Sequence, residues 1–141
     1  MINSHIQITL WDKFSSIGLM MHHLFRSLLL IVTMLPGLAS AAELVMVERQ
    51  GCHYCIAWKE EIGPAYPNTA MGRFAPLRMV DIADAPPDGV TFTRPAVFTP
   101  TFVLVQDGRE LGRIEGYPGD NFFWGMLEMM LRSKTGFDGD S

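Results

Sequence analysis

The sequence predicts an α/β domain in which helices flank a mixed four-stranded sheet, with the elements in the order β-α-β-β-β-α. Three observations carry this prediction. Residues 43–48 are short, mostly apolar and β-branched, as in a buried strand. Residues 101–115 contain two strand-like segments around Asp107-Gly108, a pair that favours a two-residue hairpin turn. An apolar stripe at helical spacing follows near the C-terminus.

The segment between the first strand and the hairpin predicts a helix and a second strand. Residues 56–62 suit a helix, and the Gly-Pro pair that follows should end it because proline lacks an amide donor. Residues 65–73 are predicted to be a loop with room for one further helical turn. Residues 77–82 are predicted to form a strand parallel to the first, reached through a right-handed crossover. The proline-rich residues 83–94 are predicted to be mostly loop, with room for an extra short helix.

The hairpin and the final helix complete the predicted domain. Residues 101–106 and 109–115 are its strands, and Asp120 is the predicted N-cap of the last helix. The aromatic and methionine residues of that helix are assigned to the core and not to a cofactor or copper site. Glu128 and Arg132 are predicted to lie outside the stripe. The predicted core stripe consists of Phe122, Phe123, Met126, Leu127, Met130 and Leu131.

Length and composition indicate one globular domain. The chain has 141 residues and is 48% hydrophobic, which supports a substantial core. The formal charge of −4 and the lack of a basic cluster argue against a nucleic-acid-binding surface. We find no internal repeat and no second domain.

The N-terminal region has the three-part pattern of a secretory signal peptide. A weakly basic segment at residues 21–27 precedes an apolar run at residues 28–35, and Ala39-Ser40-Ala41 supplies the small residues of a cleavage site. An uncleaved anchor is the alternative, but the apolar run is well short of the roughly 20 residues that a membrane span needs. The pattern therefore predicts cleavage after Ala41.

Cleavage there sets the predicted boundaries of the protein. Residues 1–41 are an N-terminal extension with a cleavable signal peptide, residues 42–135 form the domain, and residues 136–141 are a disordered tail. Export places the mature protein in an oxidising compartment, which in a bacterium is the periplasm.

The only two cysteines, Cys52 and Cys55, lie where the first strand passes into the first helix. Unpaired amides and the positive end of the helix dipole stabilise an anion at the first turn, and only the thiolate of a cysteine is nucleophilic. Cys55 lies one turn further on, within reach of a disulfide with Cys52. We therefore expect Cys52 to attack and Cys55 to resolve the mixed disulfide. His53 is expected to stabilise the thiolate when protonated, and Tyr54 to present an aromatic face to a partner.

Several other uses of the cysteine pair compete with redox chemistry. A structural disulfide that closes so short a loop removes little chain entropy. A structural zinc site needs four ligands, and only His53 stands beside the cysteines once the N-terminal segment is removed. Copper(I) carried on the two sulfurs stays open as an alternative, as does an interaction module whose cysteines matter little. The redox hypothesis requires no metal and no cofactor besides the Cys52–Cys55 disulfide.

Two motifs together resemble the thioredoxin superfamily over residues 43 to about 134. They are Cys52-His53-Tyr54-Cys55 after a strand and Thr99-Pro100 at the opening of a later strand. The resemblance implies a minimal thioredoxin-like fold with a cis proline at Pro100 beside the cysteine pair. It also implies that the backbone of Thr99 binds an extended substrate as an added strand.

A narrower resemblance is to the SoxS-type periplasmic thioredoxins of bacterial sulfur-oxidation gene clusters. Trp58 after the cysteine motif and the segments 62–67, 72–73 and 75–78 carry it. It implies a thiol:disulfide oxidoreductase that reduces a cysteine of a partner protein, such as a sulfur carrier. The expected partners are protein thiols and disulfides and an upstream membrane or periplasmic electron donor, and the expected state is a monomer.

Several positions depart from ordinary thioredoxins, among them His53 and Tyr54, which stand where those proteins have Gly-Pro between the cysteines. Gly51 stands where they have tryptophan before the first cysteine, and Met46 stands where many hold a buried acid. Glu48 and Asp81 are near in sequence but are not assured substitutes for that acid.

Overall fold

The computed structural model describes residues 41–139. The predicted signal peptide lies outside these residues except for Ala41. None of the described helices is both long enough and apolar enough to cross a membrane.

The described residues form four strands and three α-helices in the predicted order, with one addition. The addition is a short helix before the second strand, largely within residues 65–73, for which the sequence allows one further helical turn. Residues 83–94, for which it also allows an extra short helix, are irregular. The elements are β1 Ala42–Glu48, α1 His53–Glu61, a 3₁₀ helix Tyr66–Asn68, α2 Ala70–Phe74, β2 Leu77–Asp81, β3 Thr101–Gln106, β4 Arg109–Glu115 and α3 Asp120–Lys134.

The sheet is mixed, with the strand order β2-β1-β3-β4. β1 pairs in parallel with β2 and antiparallel with β3, so Leu44 has Leu77 on one side and Leu104 on the other. A parallel pair needs a crossover connection, and α1 and α2 supply it. β1 is an inner strand, and the cysteine motif follows its C-terminal end. The motif therefore lies near the middle of the side of the sheet at which β1 ends.

The hairpin between β3 and β4 forms at the predicted turn. Asp107 and Gly108 have φ angles of 53° and 72°, the two positive values that a type I′ turn needs. The register shifts between Leu104 and Val105, so β4 contains one extra residue there, a β-bulge.

The two faces of the sheet are covered differently. Alternation along β1 sends Leu44 and Met46 toward the helices, while Val45 and Val47 point the other way. We call these the helix face and the strap face, because the irregular segment 82–96, here named the strap, covers the latter. The strap and the end of β2 contribute to the strap face through Val80, Ile82, Ala85, Val90, Phe92 and Ala96.

Directed polar contacts fix the strap to β4. The Arg113 guanidinium donates to the Arg94 carbonyl at 2.7 Å and pairs with Glu110 at 2.7 Å, both side chains being nearly buried. The Glu110 carboxylate also accepts from the Thr93 amide at 2.7 Å. Burial acts to raise the pKa of Glu110, but the hydrogen bonds from Arg113 and Thr93 outweigh it, so the pKa lies below its usual value.

The last helix corrects two predictions. Its N-cap is Gly119, whose φ of 102° favours glycine. Asp120 is the first residue of the helix, and no side chain makes a capping hydrogen bond at this end. The buried stripe is narrower than predicted, since Phe122 is 71% and Met126 41% exposed. The helix is apolar on most of its circumference, so packing selects the buried side. The fully buried members of the predicted stripe are Phe123, Leu127 and Leu131.

The segment after α3 also packs on the domain. Phe137, placed by the sequence analysis in a disordered tail, is 5% exposed, and its ring centroid lies 5.2 Å from that of Phe74. Arg132 donates to the Asp138 carbonyl at 2.8 Å, which holds the segment near the helix. The remaining two residues of the predicted tail lie outside the described part of the chain.

Candidate active site

A tight turn delivers the first cysteine to the start of α1. Gly51 has a φ of 75°, a conformation that side-chain-bearing residues rarely adopt. The amide of Cys52 donates to the Arg49 carbonyl at 3.1 Å and closes the turn. Cys52 itself is extended and is the N-cap of the helix. The glycine at this position is therefore a requirement of the turn.

The two cysteines form a disulfide in this structure, with Cα atoms 5.2 Å apart. The Cys55 amide donates to Cys52 Sγ at 3.1 Å, so the sulfur takes the part that an oxygen takes in most N-caps. Cys52 is half-buried, whereas Cys55 is 1% exposed. Only the first sulfur is open to a partner, and it is also the one that receives an amide hydrogen bond.

The disulfide rests on an apolar and largely aromatic cluster on the helix face. Trp58 lies at its centre, with ring centroids 5.1 Å from Phe102 and 5.5 Å from Phe123. Cys55 and the fully buried Met46 belong to the same cluster. The position at which many thioredoxins hold an acid is therefore inside a dry core here, and the rear of the disulfide is shielded from water.

Thr99-Pro100 is a cis peptide bond, as the resemblance implied. Thr101, the first residue of β3, pairs with Val47 near the end of β1. The cis bond that precedes β3 and the cysteine turn that follows β1 therefore lie at the same end of these two antiparallel strands. Pro100 is buried, and its carbonyl accepts from the Gly116 amide at 2.8 Å. The Thr101 hydroxyl donates to the Phe98 carbonyl at 2.8 Å, which closes the turn that contains the cis bond.

An open cleft of about 390 Å³ lies between the cysteine helix and the segment after β4. Tyr54, which is 59% exposed, forms one side. The other side is formed by Gly116, Tyr117 and Pro118, together with Glu115 and Met126. Since Gly116 also binds the Pro100 carbonyl, the cleft connects the two sequence motifs.

A hydrogen bond that sequence reasoning missed holds this cleft together. The Tyr117 hydroxyl donates to the Glu61 carboxylate at 2.5 Å, across 56 positions of sequence. Burial and the neighbouring Glu61 carboxylate raise the pKa of Tyr117. The sequence showed only a Gly-Tyr-Pro-Gly turn, which contains no sign of a distant acid.

The remaining predicted side chains lie on the outer surface of the site. His53 and Tyr54 are exposed, and their rings meet edge to face with centroids 5.5 Å apart. Two exposed apolar residues next to the cis bond were not predicted: Val97 is 61% and Phe98 60% exposed. Among residues 41–139, no three His, Cys, Asp or Glu side chains are grouped so that they could hold a metal ion.

Comparison with known proteins bears on this site. No protein-family model matches the chain, and no curated protein matches it. The solved structure of the periplasmic thioredoxin SoxS from Paracoccus pantotrophus, in its reduced form, is 47% identical, and the match covers 64% of this chain and 96% of that one with a TM-score of 0.63. A thioredoxin from Malassezia sympodialis matches at 17% identity over 64% of this chain and 78% of that one, with a TM-score of 0.46.

The fold, the Cys-x-x-Cys disulfide and the similarity to the SoxS structure agree on the chemistry. The protein is a thiol:disulfide oxidoreductase whose substrates are protein thiols and disulfides. The chain belongs to the thioredoxin superfamily, and within it to the SoxS-type thioredoxins.

Proposed function

We propose that this protein is exported to the periplasm and keeps a cysteine of a partner protein reduced, with Cys52 as the attacking thiolate. The observation that carries the proposal is the asymmetry of the pair, because Cys52 is accessible at the helix N-cap and Cys55 is buried. The signal-peptide pattern of residues 1–41 supports export, and we propose that the mature domain begins at Ala42. The similar protein from Paracoccus is periplasmic, which supports the same location.

The reaction follows from the placement of the two sulfurs. The Cys52 thiolate attacks one sulfur of a partner disulfide, which forms a mixed disulfide and releases the other partner sulfur as a thiolate. Cys55 then loses its proton and attacks Cys52, which releases the second partner thiolate and forms the Cys52–Cys55 disulfide. Two electrons pass to the partner, and its two released thiolates take up the proton lost by Cys55 and any further proton from solvent. An upstream membrane or periplasmic dithiol donor restores the two electrons.

The apolar surroundings of Cys55 suit the resolving role. A buried thiol in an apolar environment resists ionisation, so the attacking role falls to the sulfur that has an amide donor. The Cα atoms of the pair are 5.2 Å apart, so the backbone places the Cys55 sulfur within reach of Cys52. His53 and Tyr54 then modulate the exposed side of the pair.

Thr99 and Pro100 are the proposed substrate-binding residues. The cis bond follows the exposed Val97 and Phe98, so an extended partner segment can lie along this backbone and pair with it as a strand. We further propose that the partner is a sulfur-oxidation carrier protein, as the resemblance to the SoxS-type thioredoxins implies. We propose that the protein acts as a monomer.

Trapping of mixed disulfides tests the assignment of roles. The Cys55→Ser variant should accumulate disulfide-linked partner proteins, because nothing remains to release them, whereas Cys52→Ser should accumulate few. The measurement is non-reducing electrophoresis of periplasmic extracts, followed by identification of the linked partner. Equal trapping by the two variants would contradict the assigned roles.

The direction of electron flow is tested by equilibrating the purified protein with glutathione buffers. A potential near the reducing end of the range of about −270 to −120 mV for such pairs is expected for a reductant. A potential close to the oxidising end would contradict the reductant role and leave the oxidoreductase chemistry intact.

A further inference from the structure

We propose that a groove between β4 and α3 binds an apolar segment of the substrate protein that continues from its reactive cysteine. This inference rests on the proposed function, since it concerns how that partner is selected. We name this feature the methionine groove. Its lining consists of Gly112, Arg113, Ile114, Met126, Met129, Met130, Ser133 and Lys134.

The methionine groove is continuous with the cleft at the active site. Met126 lines both, and residues 112–114 of β4 lead directly into the segment that forms the wall of the cleft. The groove has a volume of about 250 Å³. A partner segment that lies in the cleft beside Tyr54 can therefore continue past Met126 into the groove.

One glycine and three methionines give the groove its shape and its apolar lining. A Cβ atom at Gly112 would lie 3.2 Å from Met130 Sδ and 3.4 Å from its Cγ, so the glycine leaves room for the Met130 side chain against β4. Met129 is 69% exposed, and Met126 is 41% exposed. Methionine is unbranched and polarisable, so such side chains adapt to apolar groups of different shape.

The arrangement fits a substrate segment better than a charged ligand. Arg113 lines the groove, but its guanidinium is paired with Glu110 on the strap face and is 7% exposed. Lys134 stands at the far end, where it can meet an acidic residue of the partner. Between these two positions the exposed side chains are mainly apolar, and exposed apolar patches commonly mark protein interaction sites.

The length of the groove sets the length of the segment. From Met126 to Lys134 the helix advances about 12 Å at 1.5 Å per residue. An extended segment covers that distance with about four residues at 3.3 Å each. The groove therefore contacts side chains of the partner that lie beyond the residues at the cis bond. A small disulfide has no such side chains, so the protein should prefer the partner protein.

The test uses reduced protein and synthetic peptides whose single cysteine is a mixed disulfide with glutathione. One peptide carries leucine and phenylalanine in the residues after its cysteine, and the other carries serine and asparagine at the same positions. The rate constant for reduction of each peptide is divided by that for oxidised glutathione, which has no such segment. Each ratio is measured for the wild-type protein, for a Met126→Ser/Met129→Ser variant and for Met79→Ser.

The wild-type protein should prefer the apolar peptide by about tenfold, the effect of burying one apolar side chain. The preference should fall to about twofold or less in the groove variant. Met79 is 51% exposed on β2, at the other edge of the sheet, so the Met79→Ser control should keep the full preference.

Other outcomes would contradict either the groove proposal or the proposed function. Equal rates for the two peptides in the wild-type protein contradict the groove and leave the proposed function standing, whereas failure to reduce any of the disulfides contradicts the proposed function. A concentration-dependent dimer that the groove substitutions abolish, seen by sedimentation, would show that a second copy occupies the groove. Binding of the wild-type protein, but not of the groove variant, to lipid vesicles would assign it to a membrane surface.

Discussion

Different interactions stabilise the two faces of the sheet. Each face positions one half of the active site, which consists of the cysteine pair and the cis bond. The helix face is a cluster of large side chains around Trp58, Phe102 and Phe123, and its stability comes from buried apolar area. The strap face has four buried valines under an irregular segment, and it depends on the pairing of Arg113 with Glu110 and the strap backbone. The first carries the cysteines, and the second leads into the cis bond.

This difference has a consequence for function. Non-directional packing fixes a helix, and with it the sulfur of Cys52, through many small contributions. The strap ends at Ala96, and the next residues are Val97, Phe98 and the cis Thr99-Pro100 bond. The position of the proposed substrate-binding backbone therefore depends on a few hydrogen bonds, so single substitutions can alter substrate handling with a smaller loss of stability.

The largest expected effect is on the helix face. Phe123→Ala should lower the free energy of unfolding by about 4 kcal/mol, because a fully buried ring is replaced by a cavity. Phe122→Ala is the matched control, since the neighbouring ring is 71% exposed, and should change stability by about 0.5 kcal/mol or less. Urea denaturation measures both, and similar losses would contradict the observed burial.

The next effect is on the strap face. Arg113→Met should lower the free energy of unfolding by about 3 kcal/mol, because Glu110 is left nearly buried without its partner. Reduction of a protein disulfide should slow more than reduction of a small disulfide, since the Arg94 carbonyl loses its donor. Arg78→Met, which breaks an exposed pair of 3.9 Å with Glu43, is the control and should change stability by less than about 1 kcal/mol. Equal slowing of both substrates would show that the strap does not position the cis bond.

The smallest effect is a pH dependence at the same pair. The lowered pKa of Glu110 means that its ionised form stabilises the fold fully above about pH 4.5 and loses this contribution as the pH falls through the folded-state value. Glu110→Gln should therefore be less stable than the wild-type protein by about 2 kcal/mol at pH 7. The difference should shrink in acid, as measured by urea denaturation between pH 7 and pH 3. A difference that stays constant over this range would refute the linkage.

Local signals in the sequence were sufficient for most elements. The strand before Gly51, the hairpin at Asp107-Gly108 and the helix that begins at the cysteines each have a pattern that is read within a few residues. The cis state of Pro100 came from the resemblance and is confirmed. These features depend on backbone preference or on a short motif, so neighbouring residues are enough to specify them.

The predictions that the structure corrects, namely the buried stripe and the N-cap of the last helix and the burial of Phe137, concern features that depend on the tertiary structure. Phe122, Phe123 and Trp124 are consecutive, and a helix this apolar offers several sides that could be buried. Phe123 is the buried one of the three because it packs against Trp58 and Phe102. Phe137 is buried because it packs against the ring of Phe74. In the same way, Gly119 displaces Asp120 as the cap because the chain must turn with a positive φ at that position.

The sequence alone determined the order of the elements and the place of the cysteine pair, because strand alternation, glycine turns and a helix start are local properties. Only the tertiary structure decided that Cys55 is buried, that Tyr117 reaches Glu61, and that the predicted loop at residues 83–94 packs over the second face of the sheet. Each of these results depends on residues far apart in sequence, whose contacts exist only once the whole sheet has formed.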